Sequence, residues 1–172
     1  MWHTVYRAVD ALSRAMAYLA GFSILIIALM QVAEIAFRNF AGISLTFVWE
    51  YAAYMHIGAI FMGLAYTLRT GGHIQVTLLA TVMPRFFGYL STTVGLMISG
   101  YLSFALIRLC HNWGSTGRTS GTVDNLPLVY PMFFVAFGAS MLTVQLVLRL
   151  IHMILGTQPQ LVWGGPVPSG AE

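Results

Sequence analysis

Among the ionisable residues in or beside long apolar stretches of the sequence, where a charge is costly, Glu34, Arg38, Glu50 and His56 are the ones whose spacing could do chemistry. An ionised side chain at the centre of a membrane helix costs about 2.5–3.5 kcal/mol on insertion scales, so each one needs a partner. Glu34 and Arg38 are spaced i, i+4 and can neutralise each other on one helical face. Glu50, next to Trp49, follows after a short loop and could also reach Arg38. This spacing predicts a polar clamp between two helix ends.

Two other chemistries are open to the same residues. An ion or proton site, as in a small proton-coupled exporter, would use Glu34 and would require its carboxylate to face a central cavity. A haem site, as in the membrane anchor of a redox complex, would use His56 and would require a second histidine at matching depth. Glu34 and Glu50 lie near the ends of their apolar stretches and not at the middle, which favours the clamp.

Small residues accompany these polar ones. His56 shares a helical face with Ala52, Ala59 and Gly63. The small residues would let a second helix approach, and the His56 imidazole would form a hydrogen bond with it. Similar stripes on the third and fourth apolar stretches are formed by Gly88, Thr92, Gly95, Ser99 and Ser103, and by Ala136, Ser140 and Thr143. Their number suggests packing against a further subunit. The candidates for a helix clamp or a subunit interface are Glu34, Arg38, Trp49, Glu50 and His56.

The composition excludes most soluble functions. Apolar residues make up 58% of the 172 residues and charged residues 8%, against about 45–50% and about 25% in globular domains. So few charges cannot cover a water-soluble fold, and so apolar a chain is not a disordered one. A formal net charge of +3, spread over scattered arginines, makes no basic stripe for nucleic acid. The sequence indicates an integral protein of a lipid bilayer.

No motif for catalysis, a cofactor or a metal accompanies this composition. The single cysteine, Cys110, excludes an internal disulfide and a cysteine-based metal cluster. The sequence has no Gly-rich phosphate loop, no paired carboxylates at mid-membrane, no nucleophile beside a base and no metal-ligand spacing. We expect a protein that is not an enzyme and that binds neither a cofactor nor a metal.

Apolar stretches of about 20 residues are long enough to cross a bilayer. Such stretches lie at about 15–37, 46–68, 86–109 and 127–149. They must be helical, because backbone polar groups in lipid have to be satisfied within the segment. We predict an all-α membrane protein, with one four-helix domain over residues 1–155 and a flexible, Pro/Gly-rich cytoplasmic tail at 156–172. Residues 1–14 form either an amphipathic lead-in or an extension of the first helix.

A short amphipathic helix is predicted between the second and third spans. Apolar residues from Ile74 to Met83 share one helical face, and Pro84 ends the pattern. Such a helix lies flat at the membrane surface or covers part of a partner subunit. The residues expected to anchor it are Arg69, Gly72 and His73.

The arginines predict the orientation. The side that carries both termini and the central loop has five arginines, and the opposite side has three. Because cytoplasmic loops carry the excess of positive charge, we expect both termini in the cytoplasm.

The order of these features resembles the small membrane subunit of tripartite ATP-independent periplasmic (TRAP) transporters, the DctQ-type family. The patches that carry the resemblance are Phe37–Phe40, Phe47–Glu50, Gly58-Ala59 after His56, Arg69–Val76 and Leu126–Leu128. Gly72, His73 and Ile74 meet the family's Gly-His-Ile/Val pattern. An acidic residue is common shortly after it, whereas this chain has Thr77.

The resemblance implies a role in a larger assembly. Such subunits do not catalyse; they join a much larger membrane subunit that carries the sodium and substrate sites and moves as an elevator. A periplasmic solute-binding protein delivers the substrate, often an organic acid carboxylate. The small subunit would then be a static scaffold in the bacterial inner membrane, with part of the docking surface on its outer side.

Overall fold

Four long helices account for most of the chain that the computed structural model describes, which is residues 2–69, 84–122 and 124–155. The helices are α1, Trp2–Ala36; α2, Phe47–Arg69; α3, Pro84–Thr116; and α4, Val129–Ile154. Each is long and apolar enough to cross a membrane, which confirms the predicted α-helical, four-span fold. The predicted interfacial helix with Gly72 and His73, and the predicted tail at 156–172, lie outside the described residues, and Arg69 is the last residue of α2.

The first helix begins well before its apolar stretch. α1 runs without a break from Trp2 to Ala36, so the residues before Arg14 extend the first helix. A single π-helical turn, Phe37–Ala41, continues it. The turn ends at Gly42, which has a φ of 65° and whose N–H donates to the Phe37 carbonyl. Glycine suits this left-handed position because it has no Cβ to clash.

Three helices share the core. α1 packs against α2, and α2 packs against α4. The apolar cluster where the three helices meet consists of Met16, Ala20, Ala59, Met62, Ala65 and Met141. The one extensive helix contact of α3 in the described residues is with α4. As a result 33% and 44% of the apolar stretches of α2 and α4 are buried, against 11% and 17% for α1 and α3.

A glycine sets the closest approach between α2 and α4. A Cβ added to Gly138 would lie 2.5 Å from the carbonyl carbon and oxygen of Phe61 and 2.9 Å from the backbone nitrogen of Met62. Nearby, a Cβ on Gly58 would lie 3.6 Å from the Cβ of Phe134. Small residues at such crossings let two membrane helices approach backbone to backbone, where van der Waals contact holds them together.

The small-residue stripe of α3 is used within the chain. Thr92, Ser99 and Ser103 are buried, and the Ser103 and Thr143 hydroxyls lie 2.9 Å apart across the α3–α4 contact. A Cβ added to Gly95 would lie 3.8 Å from the Leu146 side chain. α4 therefore covers this stripe within the chain.

Candidate functional site

The carboxylate of Glu34 is the centre of a polar corner at the end of α1. Its side chain is 1% exposed and accepts four hydrogen bonds. Arg38 donates through Nη2 at 2.5 Å and through Nε at 3.2 Å, and Ser44 Oγ donates at 2.9 Å. The backbone N–H of Leu45 donates to the second carboxylate oxygen at 2.5 Å. Both oxygens are thus engaged by the chain itself.

The local fold explains this corner. Arg38 lies one turn after Glu34, so the α1 register places the two side chains together. The π turn and Gly42 then reverse the chain, which brings Ser44 and Leu45 back over Glu34. The sequence predicted the Glu34–Arg38 pair from its spacing, but the two donors from the loop depend on the turn. Only half of the Arg38 side chain is covered.

Arg38 also links the corner to α2. Its guanidinium lies 5.9 Å from the centre of the Trp49 indole, a cation–π distance. Trp49 itself is 58% exposed. Tryptophan is enriched at membrane–water interfaces, where its apolar ring and polar N–H suit both environments. The corner and Trp49 therefore lie together where the adjoining ends of α1 and α2 meet.

Glu50 does not reach Arg38, contrary to the sequence-based expectation. Its Oε2 accepts a hydrogen bond from the hydroxyl of Thr122, in the loop between α3 and α4. The Ser120 hydroxyl lies 2.7 Å from that of Thr122. The other carboxylate oxygen, Oε1, is buried without a hydrogen-bond partner in the described part of the chain. Glu50 therefore joins α2 to the loop between α3 and α4 and not to the Glu34 corner.

That loop is a small hairpin whose two arms are residues 118–122 and 124–128. The Ser120 N–H donates to the Leu126 carbonyl at 2.9 Å, and the Leu128 N–H donates to the Arg118 carbonyl at 3.0 Å. Gly121 has a φ of 70°, a conformation that glycine adopts without strain. The hairpin holds the Thr122 hydroxyl against α2, so both connections at this end of the helices are tied to the start of α2.

A cleft opens beside Glu50. It has a volume of roughly 490 Å³ and lies between the first turns of α2 and the hairpin. Its lining residues are Thr46, Phe47, Trp49, Glu50, Ala53, Tyr54, Thr122 and Asp124. Aromatic rings form one part of the wall and the Glu50 and Asp124 side chains another.

His56 lies on the outside of the chain. Ala52 and Ala59 are buried against neighbouring helices, whereas the His56 side chain is exposed. The expected face of Ala52, His56, Ala59 and Gly63 is therefore divided: part of it packs within the chain, and His56 points away. A haem site would need a second histidine at this depth, and His111 instead lies near the end of α3. In the described ranges no group of three His, Cys, Asp or Glu side chains could hold a metal ion.

The opposite ends of the helices hold a polar contact that sequence reasoning missed. Gln145 Nε2 donates to Ser13 Oγ at 2.7 Å, with both side chains buried between α1 and α4. Ser13 in turn donates to the Val9 carbonyl at 2.9 Å. One turn from it, Asp10 and Arg14 form an ion pair. Gln145, an amide side chain within an otherwise apolar span, was the feature of the sequence that could have predicted this contact.

Comparison with known proteins gives one family. Residues 27–156 match the family model described as tripartite ATP-independent periplasmic transporters, DctQ component. The match covers well over half of the chain and includes the Glu34 corner, Trp49, Glu50 and His56. No curated protein and no solved structure matches the chain.

Proposed function

The chain belongs to the DctQ family, the small membrane subunit of tripartite ATP-independent periplasmic transporters, and from this premise we propose that it is a static scaffold for transport. Its partners are the large membrane subunit, which carries the sodium and substrate sites, and a periplasmic solute-binding protein. The complex imports organic acids such as carboxylates across the bacterial inner membrane. The small chain contributes support and docking surface, and it transports nothing by itself.

The observation that carries this proposal is the enclosure of Glu34. A carboxylate that exchanges protons or ions during transport needs access to water or to a ligand. Glu34 is 1% exposed and accepts hydrogen bonds from Arg38, Ser44 and Leu45. Releasing it would take apart the turn between α1 and α2. Glu34 is the most buried acid of the described chain. Its enclosure supports a structural role and argues against the proton-coupled exporter, which required Glu34 to face a cavity.

The distribution of the other polar contacts supports the same role. Glu50 and Thr122 join helices at the same end as Glu34, and Ser13 and Gln145 join them towards the opposite end. Contacts at both ends of the helices fix their mutual positions. Scaffolds need such fixed positions because a moving domain must slide against a surface that does not move with it.

We take both termini to be cytoplasmic, on the basis of the five arginines on the side of the termini and central loop against three on the other. The Glu34 corner, Trp49 and the hairpin between α3 and α4 then face the periplasm. A water-soluble binding protein could reach them there. Labelling Ser120→Cys in whole cells with a membrane-impermeant maleimide, in a Cys110→Ser background, tests this orientation.

Reconstitution tests the function. Proteoliposomes that contain the large subunit and this chain, supplied with the solute-binding protein and a sodium gradient, should take up a labelled organic acid. Vesicles with the large subunit alone should take up much less, and vesicles with this chain alone should take up none. Robust uptake by this chain alone would refute the scaffold proposal. Equal uptake with and without the chain would also refute it.

A further inference from the structure

The outward face of α2 has a regular pattern of residues. Trp49, Ala53, His56, Ile60, Gly63 and Thr67 follow one another at alternating spacings of four and three. We call this set the α2 seam. Five of the six are exposed, and a Cβ added to the sixth, Gly63, would meet nothing within 4 Å. Alternating spacings of four and three place side chains on the one stripe that faces a partner when two helices pack along their length.

The seam is long enough to receive a whole membrane helix. At 1.5 Å per residue it extends over about 27 Å, close to the thickness of the hydrocarbon core of about 30 Å. Ala53 and Gly63 carry little or no side chain, and Thr67 donates its hydroxyl to its own helix, to the Gly63 and Leu64 carbonyls. Small residues along a stripe permit close approach of a second helix. α1 and α4 pack elsewhere on α2 and leave this stripe open.

The position of His56 indicates that protein and not lipid covers the α2 seam. It lies two positions from the middle of α2 (Phe47–Arg69), about 3 Å along the helix axis, and its imidazole is exposed. A polar side chain that faces hydrocarbon at that depth loses its hydrogen bonds with water and gains none in return. A partner helix with a hydrogen-bonding group opposite His56 would remove that cost.

The other large exposed surfaces differ in this respect. The outward residues of α3 at similar depth are large and mostly apolar, among them Met97, Ile98 and Phe104, which are 63–69% exposed, with the tyrosine Tyr101 beside them. On α1, Phe22, Leu25 and Leu29 are 55–61% exposed. Surfaces of this kind suit lipid chains. Of the outward surfaces that the structure describes on α1, α2 and α3, the α2 seam is the one with a histidine at mid-membrane.

Resting on the proposed function, we infer that a transmembrane helix of the large membrane subunit packs along the α2 seam, with His56 hydrogen-bonded to a polar group of that helix. Trp49 lies at the periplasmic end of the contact, under the Arg38 guanidinium, and Thr67 lies near the cytoplasmic end. The polar corner at Glu34 and the Glu50–Thr122 contact hold the start of α2 and so fix the seam in position. α1 and α3 then face lipid over their outer surfaces.

Photo-cross-linking in membranes that contain the whole transporter tests the inference. A benzophenone side chain replaces Ile60 in the seam or, as a matched control, Met97 on α3, which is also apolar, exposed and near mid-membrane. We expect an adduct with the large subunit, identified by mass spectrometry, from position 60 and none from position 97. An adduct from position 97 alone, or an adduct between two copies of this chain from position 60, overturns the inference.

A substitution gives a second measurement that does not depend on the probe. Because the His56 side chain is exposed and makes no hydrogen bond or ion pair within the described chain, His56→Leu should leave the folding of the isolated subunit intact. It should weaken association with the large subunit about three- to thirty-fold, the range expected for one interhelical hydrogen bond in a membrane. His56→Gln, which keeps a hydrogen-bonding side chain, should recover part of the association, and Met97→Leu should change nothing.

The possible failures are distinguishable. If the unmodified chain co-purifies with the large subunit but His56→Leu does so equally well and is itself more stable, the seam faces lipid and only this inference falls. If the unmodified chain does not associate with the large subunit at all, both the inference and the proposed function fall.

Discussion

Replacing Gly138 tests the closest helix contact of the structure. An added Cβ would lie 2.5 Å from the Phe61 carbonyl carbon and oxygen and 2.9 Å from the Met62 nitrogen. Carbon atoms in good van der Waals contact are about 3.5–4.0 Å apart, so Gly138→Ala must separate α2 and α4 by about 1 Å at this point. The atoms in the way belong to a helix backbone, so no rotamer change can relieve the clash.

The control for this variant is Gly100→Ala. Gly100 lies within α3, and a Cβ there would meet nothing within 4 Å. Both substitutions gain the same helix propensity, about 1 kcal/mol for Ala over Gly in a helix interior. The difference between them therefore isolates the steric cost, which for overpacking is about 1–3 kcal/mol.

Thermal unfolding of the purified subunit in one detergent gives this difference. We expect Gly138→Ala to unfold at a lower temperature than Gly100→Ala, with the free energy of unfolding lower by about 1–3 kcal/mol. Equal melting temperatures for the two variants would show that α2 and α4 are not in backbone contact at Gly138, and the described packing of the inner helices would be wrong.

Three further predictions concern the polar contacts. Glu34→Ala should lower the melting temperature more than any other single change at this end of the helices, because it strands an arginine and two loop donors at once; a loss no larger than that of Glu50→Ala would contradict the hydrogen bonds described for Glu34. Glu50→Ala should loosen the α3–α4 hairpin, seen as faster proteolysis of that loop, and Thr122→Ala should add little once Glu50 is gone; additive effects would count against their contact. The effects of Gln145→Ala and Ser13→Ala on the free energy of unfolding should be coupled by about 0.6–2 kcal/mol in a double-mutant cycle, the value of a hydrogen bond between membrane helices. Zero coupling would refute the hydrogen bond between Gln145 and Ser13.

The features that the sequence predicted well are local ones. A span needs only a run of apolar residues, and the four runs predicted four membrane helices. The Glu34–Arg38 pair needs only an α-helical register, since four residues make about one turn. The family could also be inferred from short patches in order along the chain, and the family comparison confirms it over residues 27–156.

The features that sequence reasoning missed join residues far apart in the chain. Glu50 accepts from a hydroxyl 72 positions away, and Gln145 donates to a hydroxyl 132 positions away. The sequence offered Arg38 as a possible partner of Glu50 because a short loop joins the two helix ends. The loop instead places Arg38 over Trp49, while the hairpin brings Thr122 to Glu50.

Hydropathy and helical register are properties of neighbouring residues, so the order of residues alone predicts a membrane-spanning helical chain with its acids towards the helix ends. Which faces are covered depends on how the helices pack: α4 occupies the small-residue stripe of α3, Gly138 meets the backbone of α2, and His56 points outward. The difference arises from the solvent. In water an apolar face marks the side that must be buried, but lipid is as apolar as the core, so all faces of a membrane helix look alike until its neighbours are in place.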